Sequence, residues 1–175
     1  MTSANISREG RVGVGVVRAP WRLRWLFAGL AGLALAIVPL GSAPAQSPVS
    51  LAVVVHAGVP AVSLGAVELA SIYTRATRAW KDGTTVRALN LPPGSPERVE
   101  FDRVVLDMSP ERSAQFWIDK QIRGEEAAPK AIAQADIVAR LVPTLSGAIG
   151  YLPEAKVDPK IRVIARIRGG KVVAP

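Results

Sequence analysis

Apolar positions along the chain recur with two spacings, and the alternation between them predicts an α/β domain. Residues 49–56 hold Leu51, Val53, Val54 and Val55 in a near-continuous apolar run, the pattern of a strand buried on both faces, ended by Gly58 and Pro60. A helix capped by Ser63 follows, its stripe made of Leu69, Ile72, Tyr73 and Ala76 at i, i+3, i+4 and i+7. Asp82-Gly83 marks a turn, and residues 86–89 read as a second strand. Strand, helix and strand in about 40 residues predict a right-handed β-α-β unit with parallel strands. The helical spacing returns at Phe101, Val104, Val105 and Met108, and again at Ala114, Trp117, Ile118 and Ile122 behind a cap at Ser109. Both helices are expected to pack on the sheet. After a polar connection at 124–129, a short helix around Ile137, Val138, Leu141 and Val142 is stopped by Pro143. Residues 148–152 and 161–167 supply further strands, and Val172-Val173 a short tail. The expected architecture is a single small three-layer α/β domain, with a mostly parallel sheet flanked by helices.

The stretch with most chemical promise is the loop Leu91-Pro92-Pro93-Gly94-Ser95-Pro96, between the second strand and the next helix. Ser95 is placed to be the N-cap and Pro96 the first helical residue. A strand feeding a helix start through a tight loop presents free N–H groups and the positive end of the helix dipole, which together can seat an anion. The tetrapeptide Ser-Pro-Glu-Arg recurs at 109–112 with no strand before it, where a plain helix cap explains it.

The first 45 residues stand apart in composition. Arg18, Arg22 and Arg24 precede an apolar segment, 26–38, which Pro39, Gly41 and Ser42 interrupt before Ala43-Pro44-Ala45. That is the layout of a cleavable Sec-type export signal, and 13 apolar residues fall short of the ~20 that span a bilayer. The arginines are not paired as in a twin-arginine signal, and no cysteine is present to carry a lipid. The folded domain is expected at 46–175, in the periplasm. Removing the signal lowers the net charge from +8 to +4, with 17 basic and 13 acidic side chains left. That mild excess favours small anionic partners and gives no ground for nucleic acid. With no cysteine and only His56, neither disulfides nor a metal site is expected, and nothing calls for a cofactor. Trp80 and Trp117 read as core residues rather than a stacking platform. Arg162, Arg166, Arg168 and Lys171 form a basic edge, read as a solvated strand face.

Five short motifs in order carry a family resemblance: Val53-Val54-Val55-His56, Leu69-Ala70 with Ile72-Tyr73, Trp80 with Asp82-Gly83, Gly94-Ser95 followed by Phe101, and Gly147-Ala148-Ile149-Gly150-Tyr151. On these the chain resembles the phosphate-binding receptors of ABC transporters, in the type II periplasmic binding protein superfamily, as a relative of one lobe only. In the family the central loop reads Arg-Ser-Asp-Gly-Ser-Gly-Thr and holds phosphate. Gly94 and Ser95 match its Gly-Ser. Leu91 replaces the Arg, Pro93 the Asp, Pro96 the following Gly, and Glu97 the Thr. Pro96 removes an N–H donor, the bidentate guanidinium is gone, and Glu97 brings a negative charge to the seat. Two unit charges ~5 Å apart repel by about 3 kcal/mol at an effective dielectric of 20. Arg98 and Arg87 can compensate, although neither sits at a family position.

The resemblance implies a non-enzymatic substrate-binding protein that takes phosphate or another small anion weakly, with Gly94, Ser95, Glu97, His56 and Arg98 as ligand-binding residues and an ABC permease as partner. Half a cleft leaves such an anion largely solvated. The competing expectation is a periplasmic interaction module, whose lobe edge binds a protein partner or a second copy as a homodimer. Catalysis by a Ser95–His56 pair is set aside, since no Gly-x-Ser-x-Gly elbow accompanies it.

Overall fold

The computed structural model describes residues 49–61 and 63–175. The expected export signal lies outside the described residues. A six-stranded sheet carries the domain: β1 Leu51–Val55, β2 Arg87–Asn90, β3 Lys130–Ala131, β4 Ala148–Pro153, β5 Arg162–Arg168 and β6 Lys171–Val173, in the spatial order β3-β2-β4-β1-β5-β6. β2, β3, β4 and β5 run one way, and β1 and β6 oppose them. The sheet is therefore mostly parallel in direction, although β1 is antiparallel to both of its neighbours. All five residues of β1 are buried, as an unbroken apolar run requires of a strand hemmed in on both faces and both edges.

The β-α-β unit expected from β1 and β2 does not form. β4 lies between them, and β1 and β2 point in opposite directions. The reason is non-local: β1 zips along β4 from Leu51 opposite Pro153 to Val55 opposite Ile149, and along β5 from Leu51 opposite Ile167 to Val55 opposite Arg162, so strands far along the chain decide its orientation. The hydrophobic pattern does not reveal β3 or the pairing of β5 with β6. β6 turns back on β5 through Gly169 and Gly170, both at positive φ, as a tight hairpin turn demands.

Helices cover both faces. Successive residues of a strand face opposite sides, and on β4 Tyr151 meets one helical layer while Gly150 meets the other. On the first side, α1 (Ala66–Tyr73) and α2 (Pro96–Phe101) bring Tyr73 and Phe101 onto Tyr151. Phe101 stacks on Tyr151 at 4.0 Å between centroids, and Tyr73 leans on Phe101 at 4.5 Å. On the second side, α4 (Ala135–Leu141) packs so closely that a Cβ on Gly150 would lie 2.6 Å from Val138. The cap of α1 is Gly65 rather than Ser63: the Glu68 carboxylate accepts the Gly65 N–H at 2.6 Å, and the helix ends at Tyr73, before Ala76. The caps at Ser95 and Ser109 are as expected, each hydroxyl accepting the N–H three residues on, with Pro96 and Pro110 opening their helices.

α2 widens into a π-helical stretch, Asp102–Leu106, which closes on Asp107 in the left-handed region. α3 (Pro110–Ile122) departs from expectation. Its only buried residue is Ser113, whereas Ile118 and Ile122 are 49 % and 79 % exposed. The helix is steered by its cap and by the polar contact of Ser113, and most of its apolar stripe does not reach the sheet.

Candidate functional site

β2 ends in the 91–97 loop at the carboxyl rim of the parallel strands β2 and β4, where ligand sites of α/β sheets form. Three buried groups lock the loop's entry. Asn90 Oδ1 accepts the Leu91 N–H at 3.1 Å, and the Tyr151 hydroxyl bonds both to Asn90 Oδ1 and, at 3.3 Å, to that same N–H. Nearby, the Tyr73 hydroxyl donates to the Leu89 carbonyl, and burial raises the pKa of both tyrosines far above the ordinary phenol value. Both phenols thus remain neutral hydrogen-bonding groups.

The turn itself needs Gly94, at φ +81°, and Ser95 N–H closes it onto the Pro92 carbonyl at 3.2 Å. The Ser95 hydroxyl is committed to the Arg98 N–H at 3.3 Å. Glu97, half-buried in the first turn of α2, places its carboxylate at the positive end of the helix, the position an anionic ligand would want.

Arg98 does not reach out of the loop. It is buried, its Nε donating to Asp102 Oδ2 at 2.7 Å, one Nη to the Leu91 carbonyl at 3.4 Å and the other to Ser113 Oγ at 3.3 Å. The guanidinium therefore ties the loop, α2 and α3 into one unit, and its charge is matched by Asp102. Such a pair is costly to desolvate and costly to break, so it fixes geometry more than it adds stability.

His56 is not part of this cluster. Because β1 runs opposite to β2, the residue after it emerges at the other rim, where its N–H bonds to the Ala148 carbonyl at 3.0 Å and its Nδ1 accepts the Gly58 N–H at 3.0 Å. Expecting His56 beside Ser95 rested on parallel β1 and β2; the antiparallel pairing removes the premise. The structure brings Gly94, Ser95, Glu97 and Arg98 together and leaves His56 apart.

The three arginines of the basic edge are likewise spoken for. Arg162 donates to the carbonyls of Ala57, Val59 and Ala61, stapling the loop after β1, and Arg166 and Arg168 both pair with Glu154. Arg87, at the exposed start of β2, lies at the opposite end of that strand from the loop. No cluster of three or more His, Asp or Glu side chains that could hold a metal ion occurs among the described residues.

Beneath the loop lies a cavity of about 240 Å³ between α2 and α3, reached by Gly94, Arg98, Asp102, Ser113 and Trp117. Sequence reasoning does not point to Asp102, Ser113 or Trp117 as site residues. The only signal for them is the i, i+4 spacing of Arg98 and Asp102, which puts a guanidinium and a carboxylate on one helix face.

No sequence-family profile and no curated protein matches the chain. Solved structures do match in fold. A Clostridium perfringens protein assigned as a phosphate ABC transporter substrate-binding protein, with bound phosphate, superposes with a TM-score of 0.54 at 19% identity, over 67% of this chain and 46% of that one. An ABC-type phosphate transport receptor from Vibrio cholerae gives 0.53 at 17% identity, over 67% and 47%. The chain thus spans under half the length of these proteins. The likeness is one of fold, over about half the length of each of these two proteins.

Proposed function

We propose that the chain is an exported, non-catalytic binding module of the receptor type, taking phosphate or another small anion weakly at the 91–97 loop. The observation that carries this reading is the loop's position: a glycine turn at the carboxyl rim of β2 and β4, opening a helix, in a fold shared with a protein that holds phosphate. Gly94 and Glu97 supply backbone N–H groups there, and Ser95 orders the turn. Arg98 acts by holding the loop rather than by touching the ligand, and His56 has no part. Glu97 limits affinity, since its carboxylate already occupies the field of the helix start. Periplasmic placement through the 1–45 signal and engagement of an ABC permease belong to the same proposal.

Calorimetric titration with inorganic phosphate tests it. Wild-type protein should bind in the millimolar range, and Glu97→Gln should bind about tenfold more tightly, the effect of removing one unit charge across a partly screened few ångströms. No heat from either protein at ~10 mM phosphate would sink the reading.

A second reading, an interaction module, is favoured by one observation: α3 leaves Ile118 and Ile122 exposed. A protein partner or a second copy covering α3 would bury them. Light scattering on wild-type and Ile122→Lys protein distinguishes a homodimer, which the substitution should dissociate.

A further inference from the structure

The sheet ends on β6, whose outer edge no other strand covers among the described residues. The geometry of that edge follows from its hairpin. Gly169 and Gly170 both stand at positive φ, the two-residue turn whose flanking pair, Arg168 and Lys171, exchanges both backbone hydrogen bonds. Pairing then alternates. Lys171 and Val173 turn their N–H and C=O groups toward β5, and Val172 turns both of its own away, to the open side. An unpaired rung of this kind is a template for one more strand.

Side chains sort onto the two faces with the same period. Val172 lies opposite the buried Ile167, half-buried on the face that carries Tyr151. Lys171 and Val173 lie opposite Arg168 and Arg166 on the other face. There, three cations meet one carboxylate: Glu154 is shared by both arginines, and the exposed Lys171 enters no ion pair among the described residues. Arg103 brings a further guanidinium to the same edge, 3.1 Å from where a Cβ on Gly170 would stand.

Charge selects the occupant. A second copy pairing antiparallel across this edge would bring two unpaired Lys171 ammonium groups onto one face, each beside its own arginines, and like charges there oppose pairing. The same cations favour a strand that carries carboxylates. We infer that the β6 edge is a docking site for an extended acidic segment of another protein, added as a seventh strand. It hydrogen-bonds to the Val172 N–H and C=O, and it sets apolar side chains beside Val172 and carboxylates beside Lys171. Three strands, β5, β1 and β4, separate β6 from β2, so this surface is distinct from the 91–97 loop and independent of whether that loop binds an anion.

Two capped heptapeptides, one alternating valine with glutamate and one alternating valine with lysine, are the probes. The readouts are the NMR shift and the hydrogen exchange of the Val172 backbone amide. The glutamate peptide should shift that amide with a Kd of about 1 mM or tighter and slow its exchange. Its affinity should fall about threefold in ~0.5 M salt, and the lysine peptide should bind about tenfold more weakly. Lys171→Glu, at an exposed position, should weaken the glutamate peptide about fivefold and strengthen the lysine peptide. Val172→Pro removes an N–H that serves no bond within the hairpin, and should abolish binding of both peptides with the fold intact by spectral dispersion. Equal affinity for the two peptides in wild-type protein, or no effect of Lys171→Glu, would overturn the charge argument. A dimer seen by light scattering and lost in Val172→Pro would assign the edge to a second copy instead. Silence of the Val172 amide at ~5 mM glutamate peptide would overturn the site altogether.

Discussion

Arg98→Met removes the cation buried against Asp102, and the size of the loss can be worked from the contacts of the pair. Asp102 is 3 % exposed and its carboxylate has a single hydrogen bond, the 2.7 Å contact from Arg98 Nε, so the variant strands a carboxylate without partner or water. Breaking a buried pair from one side costs about 3–5 kcal/mol, and the Leu91 carbonyl and Ser113 hydroxyl lose a donor as well. Asp102→Leu should cost less, since the guanidinium keeps its contacts to Leu91 and Ser113. The double variant, with both charges replaced by apolar groups of fitting size, should recover most of the loss and come within about 1–2 kcal/mol of wild type. Urea unfolding read by tryptophan fluorescence is the assay. With a slope of ~2 kcal/mol/M, Arg98→Met should move the midpoint down by about 2 M, and the double variant should move it back up. An Arg98→Met penalty below ~1 kcal/mol, or a double variant no better than that single one, would refute the claim that this pair organises loop and helices.

Gly147→Ala should be among the most damaging single-methyl changes: at φ +73° the new Cβ would lie 2.2 Å from the Thr85 carbonyl oxygen. The left-handed conformation alone costs ~1–2 kcal/mol, and the Gly147 carbonyl serves both Arg87 N–H and Trp80 Nε1 at 3.0 Å, so a total of about 3 kcal/mol is expected in thermal or urea unfolding. His56→Ala should leave phosphate affinity unchanged in calorimetry, because His56 stands at the opposite rim from Gly94; a clear loss would contradict the strand order. Among surface carboxylates, Lys120 first and then Arg123 hold Glu125 down to about 2, and Arg168 with Arg166 lowers Glu154. Their folded pKa values lie below the unfolded ones, so the stabilisation is complete above the ordinary Glu pKa and is lost as pH falls through the folded values; carboxyl NMR titration should place Glu125 near 2 at low salt and higher in ~1 M salt.

The features that could be read from the chain are those settled within a few residues. Ser95 and Ser109 cap helices because hydroxyl, proline and downstream N–H are all local, and the 51–55 run announces a strand hemmed in on every side. Ser63 misled because Glu68, three residues into the helix, reaches back to the Gly65 N–H and makes glycine the better start. What distant partners decide was not readable. Nothing near β1 says that residues 148–168 will flank it, so its direction, and with it the place of His56, came out reversed. The two residues of β3 carry no pattern at all. The Gly147-Ala148-Ile149-Gly150-Tyr151 motif was recognisable by resemblance, but its meaning is physical: Gly147 lets Thr85 approach, Gly150 admits Val138, and Tyr151 ties down Leu91. Arg98 reads from the sequence as a cation that can compensate at the anion seat. Its burial comes from Asp102 on the same helical face and Ser113 on the next helix, a pairing visible only once the helices are laid together.

The central place of β1 bears on how the domain forms. Val53 faces Tyr151 on one side and Ala165 on the other, partners about a hundred residues later in the chain. Until those residues are available, the most apolar pentapeptide of the domain has nothing to pair with, and closing so long a loop makes folding slow. During that interval Leu51–Val55 is an open β-prone segment without charge, proline or glycine, the kind that self-associates. Refolding should therefore slow and lose yield with rising protein concentration, and a chaperone that shields this one pentapeptide should restore it.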